Sequence, residues 1–142
     1  MLHEQELAFA DWESEVIAGN QFFNQSDFEH AKQNYKKAKK LATKLFDFAD
    51  DSERAVAALV VSYHNLADLY QQKKQLKRAY RELDEVNAYL LNCLNKEGVS
   101  DSNLAAIRRG INKSQGELLN FIKRNNFPST CISNIAYNKF NH

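Results

Sequence analysis

One ladder of small and bulky residues occurs twice in this chain, and it constrains the fold more than any other feature. With Gly19 as origin, Phe22 lies at +3, Phe28 at +9, Ala31 at +12, Tyr35 at +16, Ala38 at +19 and Leu41 at +22. With Ala67 as origin, Tyr70, Leu76, Ala79, Leu83, Val86 and Tyr89 stand at the same offsets. Small residues recur at 0 and +12, an aromatic at +3, and bulky apolar residues at +9, +16 and +22. Offsets built from threes and fours belong to helices, and a pattern that repeats as a block belongs to a stacked unit. Small residues let two antiparallel helices approach closely. The ladder therefore predicts Gly19 against Ala31 and Ala67 against Ala79, with Phe22 and Tyr70 filling the space beside each crossing.

The pattern resembles the tetratricopeptide repeat (TPR) family, through Asp27–Leu41 (DFEHAKQNYKKAKKL) and Asn65–Tyr70 (NLADLY). The resemblance covers about Trp12 to Leu45 and Val60 to Leu91. It implies an all-α fold: antiparallel helical hairpins stacked as a short TPR-like array, closed by a C-terminal capping helix. The two origins are 48 residues apart, against roughly 34 for the family. Lengthening the second and third helices by about two turns each absorbs the excess and keeps the buried stripe in phase. Gly110 offers a third origin, although Lys113 then stands where an aromatic belongs.

Punctuation supports the helical reading. The 142 residues include only four Gly and one Pro, which leaves little material for turns. Helices are expected over about 2–24, 27–48, 52–73, 76–95 and 103–125, making one domain over 1–126. Ser26 and Glu29 form a capping-box pattern, and Asp50–Glu53 (DDSE) offers a second start. Gly98 can take positive φ in the clearest loop, with Ser100 or Ser102 capping the next helix. A tail over 127–142 carries Ile132, Ile135, Tyr137 and Phe140, and is expected to pack on its own domain or on a neighbouring copy.

Composition bounds the function. The chain is 44% hydrophobic and 26% charged, with net charge +1, as expected of a soluble globular protein rather than a disordered one. No apolar run approaches the roughly 18 residues needed to span a bilayer. The N-terminus is acidic and lacks a signal-peptide pattern. Cys93 and Cys131 show no CxxC spacing and read as reduced thiols of a cytoplasmic protein. Residues 1–29 hold seven acids and no Lys or Arg, whereas 30–46 hold six lysines and no acid. An antiparallel pairing of the two segments is expected to neutralise part of that charge.

The lysines from Lys32 to Lys44 fall on one helical arc opposite Ala31, Tyr35, Ala38 and Leu41. That is a solvated amphipathic face, so neither nucleic acid nor a membrane surface is expected as a partner. His64 and Asp68, one turn apart, lack a third ligand and read as a solvated i,i+4 pair, so no metal and no cofactor is expected. No nucleophile elbow, phosphate loop or catalytic carboxylate pair occurs, which argues against an enzyme.

The TPR resemblance implies instead a bacterial interaction module that binds a peptide or helix of another protein on its concave face. Carried over position by position, it places Glu13, Val16, Asn20, Phe23 and Asn24 of the first unit on that face. Val61, His64, Asn65, Asp68 and Gln71 join them from the second. A carboxylate clamp of the kind some TPR domains use is matched only at Asn20 and Asn65, with Arg108 a third if the Gly110 register holds. Val16 and Leu104 occupy its lysine positions. Two other roles stay open, a secretion-type TPR chaperone and a self-assembling helical protein. The chaperones are typically acidic, against a pI of about 7.8 here. A homodimer is compatible with any of these.

Overall fold

The computed structural model describes residues 2–96 and 98–127. They form α1 (Leu2–Asn24), α2 (Phe28–Phe48), α3 (Ser52–Gln72), α4 (Leu76–Leu94) and α5 (Asp101–Arg124). The protein is all-α, and each helix packs against the next through a short connection, so consecutive helices run antiparallel. Helix α5 packs on α3 as well as on α4, whereas α1 meets α3 only lightly. Of the C-terminal tail only Phe127 is described, partly buried and stacked on Tyr80; residues 128–142 lie outside the described residues.

Burial explains the order. Helix α2 buries Ala31, Tyr35, Ala38, Ala42 and Leu45, a single stripe at helical spacing. Helix α4 does the same with Ala79, Leu83, Val86, Leu90 and Cys93. Helix α3 is buried on several sides, from Ala55 to Tyr70, because it sits in the middle and touches every other helix. Ala31, Ala67 and Ala79 share one core cluster with Tyr35, Tyr70, Leu118 and Phe121, and Phe22, Phe23 and Phe28 pack against it.

The close approach of α1 to α2 differs from the expected small-on-small contact. A Cβ at Gly19 would lie 2.5 and 2.6 Å from Cε1 and Cδ1 of Tyr35, and 3.3 Å from Cβ of Asn34. The glycine makes room for an aromatic ring, not for Ala31. The ring is fixed at its far end, where its hydroxyl donates to Oδ1 of Asn20 at 2.6 Å. Gly110 plays a similar part on α5, where an added Cβ would lie 2.5 Å from Cγ1 of Val56.

Three helices end in the same turn. The amide of Asp27 donates to the Phe22 carbonyl (2.9 Å), that of Gln75 to Tyr70 (2.8 Å) and that of Phe127 to Ile122 (2.9 Å). Each turn places a non-glycine residue at positive φ: Ser26 (60°), Lys74 (61°) and Asn126 (52°). This is the bonding of a Schellman C-cap, which satisfies carbonyls the helix leaves open. The first two turns stand 48 residues apart, the spacing of the ladder. The third corrects the expected register, because it makes Leu119 the counterpart of Gly19 and Ala67, and Ile122 that of Phe22 and Tyr70. Gly110 is a packing contact, not a third origin.

The cap of α2 is also corrected. Ser26 is consumed by the preceding turn, and Asp27 caps instead, its Oδ1 accepting from the His30 amide at 3.3 Å. Asp51 caps α3 through the Arg54 amide (3.1 Å), and Ser100 caps α5 through Asn103 (3.3 Å). Gly98 takes φ 79° in the connection before it.

The expected charge neutralisation between α1 and α2 does not form as ion pairs among the described residues. Glu15 accepts from the Asn34 amide group (2.8 Å), and Glu6 reaches Arg54 on α3 instead (2.8 Å). Nor are all six lysines solvated. Lys39 turns inward, bonds to Glu82 of α4 at 2.8 Å and lies over the Tyr63 ring. Helix α1 is tied to α3 by Trp12, whose indole donates to Oγ of Ser62 at 2.7 Å, while that hydroxyl donates to the Ala58 carbonyl.

Candidate functional site

Helices α3 and α5 leave a polar groove between them. On α3 the residues at i, i+1, i+4 and i+7 (His64, Asn65, Asp68 and Gln71) share one stripe, with Val61 a turn before them. On α5, Lys113, Glu117 and Arg124 form the facing stripe. Together, with Leu83 below, they enclose a hollow of about 220 Å³. A second hollow of about 460 Å³ shares Asp68, Gln71 and Arg124 and adds Phe23, Gln72, Lys74 and Asn125. The shared residues make one continuous groove, with mixed charge in the middle and an aromatic side chain towards the α1–α2 turn.

Most of the groove's polar groups are not used by the fold. Gln71 is engaged, its Oε1 accepting from Nη2 of Arg124 (3.1 Å) and Nδ2 of Asn125 (3.2 Å). His64 is different, because its Nε2 is buried and has no partner among the described residues. Burial pushes the His64 pKa down; Glu117 opposes the shift and Lys113 adds to it. Burial pushes the Asp68 carboxyl up, helped by Glu117 and opposed by Arg124. Asp68 is exposed and His64 half-buried, so the solvated pair expected from the sequence holds for Asp68 and only in part for His64. They face α5, at some cost to their charged forms.

The family model of a protein of unknown function, DUF2753, matches residues 10–137. That match takes in most of α1 and all of α2 to α5. The chain belongs to the DUF2753 family. No curated protein and no solved structure matches it. Every groove residue of this DUF2753 protein lies inside the matched span.

The residues singled out in the sequence divide in two. His64, Asn65, Asp68, Gln71 and Val61 line the first hollow, and Phe23 lines the second. Val16 is half buried and Asn20 accepts the Tyr35 hydroxyl, and neither lines either hollow. Arg108 is exposed on α5 and also lines neither, so Asn20, Asn65 and Arg108 are not gathered in one hollow. Phe23 is partly structural, its ring lying 5.4 Å from Phe28 and 6.4 Å from Tyr35.

The α5 half of the groove is not found from the sequence ladder. Its signal is present, since positions 113, 117 and 124 repeat on one face while Ser114, Leu118 and Ile122 turn to the core. Reading Gly110 as a repeat origin hides that stripe. Among the described residues no group of three His, Cys, Asp or Glu side chains could hold a metal ion, and no helix is long and apolar enough to cross a membrane.

At the opposite end of the bundle a hollow of about 240 Å³ is walled by Phe46, Ala55, Val56, Val99 and Ile107, with Cys93 beside them. Burial pushes the Cys93 thiol up, away from the reactive thiolate. Cys131 lies outside the described residues.

Proposed function

We propose that this DUF2753 protein is a non-enzymatic interaction module of the cytoplasm, which holds an extended or helical segment of a partner protein in the α3–α5 groove. One observation carries the reading: among the described residues, the groove presents His64, Asp68, Lys113 and Glu117 together without ion pairs or hydrogen bonds to the fold. Of these, Nε2 of His64 is buried, and buried polar atoms are normally satisfied internally, so a ligand that completes it and pairs with the open charges of Asp68, Lys113 and Glu117 suits the groove. The TPR-like reading gains support from the shared turn after α1, α3 and α5, which makes these three equivalent elements, and α3 and α5 then present equivalent faces to the groove.

The test is capture of partners from the source cells by tagged protein, followed by mass spectrometry. Asp68→Lys and Lys113→Glu change exposed positions on opposite walls. Both variants should lose the partners that the wild type retains while keeping its helicity and melting temperature. Identical capture by both variants would refute the assignment.

A further inference from the structure

The outer flank of the α1–α2 hairpin carries a second surface, separate from the groove. Lys39 points to Glu82 of α4, so the α2 residues half a turn away point off the bundle. These are Lys37, Leu41, Lys44 and Phe48, at i, i+4, i+7 and i+11. On α1, Phe9 and Trp12 turn towards α3, where Arg54 covers the Phe9 ring and Ser62 accepts the indole. The opposite stripe is Glu4, Leu7, Asp11, Ser14 and Ala18. Leu7 is 53% exposed and Phe48 47%. Leu41 and Ala18 are half buried. Helix α3 covers only the other side of this hairpin, and among the described residues Asp11, Lys37 and Lys44 make no ion pair.

The levels of the two helices are known from contacts between them. Gln5 and Asp50 exchange two hydrogen bonds, and Gly19 lies against Tyr35. Counting inwards from those points sets Leu7 level with Phe48, Asp11 with Lys44, and Ser14 with Leu41. A two-fold axis parallel to the helices preserves level and exchanges α1 for α2. It therefore lays α1 of one copy antiparallel on α2 of another. Leu7 then meets Phe48 of the second copy, and Asp11 meets its Lys44, each twice by symmetry. The other two-fold arrangement, α1 on α1, sets acid on acid and lysine on lysine, so charge selects the first.

The geometry points to a symmetric homodimer through this flank, with a four-helix seam of α1, α2 and their counterparts. Two helices about 30 Å long offer a face on the order of 700 Å² per copy, close to the ~800 Å² of a standard specific interface. The apolar part is small, so the dimer is reversible and weakens with salt.

Analytical ultracentrifugation of the full chain at about 100 µM tests it, a concentration at which micromolar affinity populates the dimer. The wild type should sediment as a dimer, and a monomer overturns the proposal. Asp11→Lys and Lys44→Glu, each alone, should weaken self-association roughly tenfold or more, because each replaces two attractions with two repulsions. Mixing the two variants should restore the dimer. The double variant should also dimerise by itself, as only the α1-on-α2 arrangement allows. Dimers unaffected by either single change, or a double variant that stays monomeric, would overturn the geometry. Circular dichroism of each variant confirms folding, since both positions are exposed.

Discussion

Two glycines inside helices should respond to the same change in opposite directions. Gly116 lies on the exposed side of α5, and a Cβ there would meet nothing within 4 Å. Gly116→Ala therefore gains helix propensity without a clash, worth up to about 1 kcal/mol. Gly19→Ala gains the same propensity but must displace the Tyr35 ring from 2.5 Å to van der Waals distance. The ring is 3% exposed, and moving it strains the bond to Asn20, whose loss costs about 1 kcal/mol. Overpacking of this kind costs about 1–3 kcal/mol. The net expectation is a loss of about 1–2 kcal/mol, and Gly19→Leu should lose considerably more.

Urea unfolding followed by far-ultraviolet circular dichroism measures both variants against the wild type. If the ring causes the penalty, its removal should erase it. In a Tyr35→Leu background, Gly19→Ala should be neutral or stabilising, with a coupling of about 1–2 kcal/mol. Tyr35→Phe keeps the ring and should not rescue. A Gly19→Ala variant as stable as Gly116→Ala would show that the Tyr35 ring does not press on Gly19.

Other perturbations test other parts of the structure. Lys74→Gly relieves a left-handed lysine at φ 61° and should stabilise by about 0.5–1 kcal/mol in chemical denaturation, the strain exceeding glycine's entropic cost. Lys39→Met leaves Glu82 nearly enclosed without its cation and should destabilise by about 1–3 kcal/mol, below the cost of breaking a fully buried pair. His64, whose pKa burial holds below 6.5, binds its proton more readily when unfolded. Its contribution is thus complete above pH 6.5 and declines as pH falls towards the folded pKa. His64→Gln should flatten that part of the melting-temperature profile. Asp68, raised above 3.8, has the opposite sign: its ionisation on the way to neutral pH weakens the fold, so Asp68→Asn should melt slightly higher at pH 7.

The all-α class was legible because apolar residues at three- and four-residue spacing, with one proline and four glycines in 142 residues, leave few other arrangements. Helix starts within Asp50–Glu53 and at Ser100 or Ser102 were legible because capping depends on one side chain and its neighbours, and the structure assigns the caps to Asp51 and Ser100. The partner of Gly19 was not. A glycine states that something approaches, and only the crossing of α1 with α2 shows that it is the Tyr35 ring. The third turn was also hidden, because Ser26, Lys74 and Asn126 share a backbone conformation without sharing chemistry. Glycine would have marked the left-handed position in each. The α3 wall of the groove could be read from one helix, whereas the α5 wall needed the spatial register of two.

The groove differs from the core in the kind of polar group it leaves incomplete. Elsewhere the fold completes several buried polar atoms, Trp12 with Ser62, Ser62 with Ala58 and Lys39 with Glu82, yet leaves Oε1 of Gln75, Oδ1 of Asn87 and Oγ of Ser114 without partners. Along the groove, His64 is buried without a partner at Nε2, and Asp68 is partly desolvated beside Glu117. Each of these weakens the folded state, and neutral substitutions at the same positions would relieve the cost. Only in the groove is the incomplete group ionisable and open to a hollow, the setting in which function is to be sought. The groove's departure is coherent: four ionisable side chains on two facing helices, converging on one hollow. The proposed partner would supply the hydrogen bonds and counter-charges that the chain itself withholds. Binding should therefore raise the melting temperature of the wild type more than that of Asp68→Asn, whose groove has less to recover.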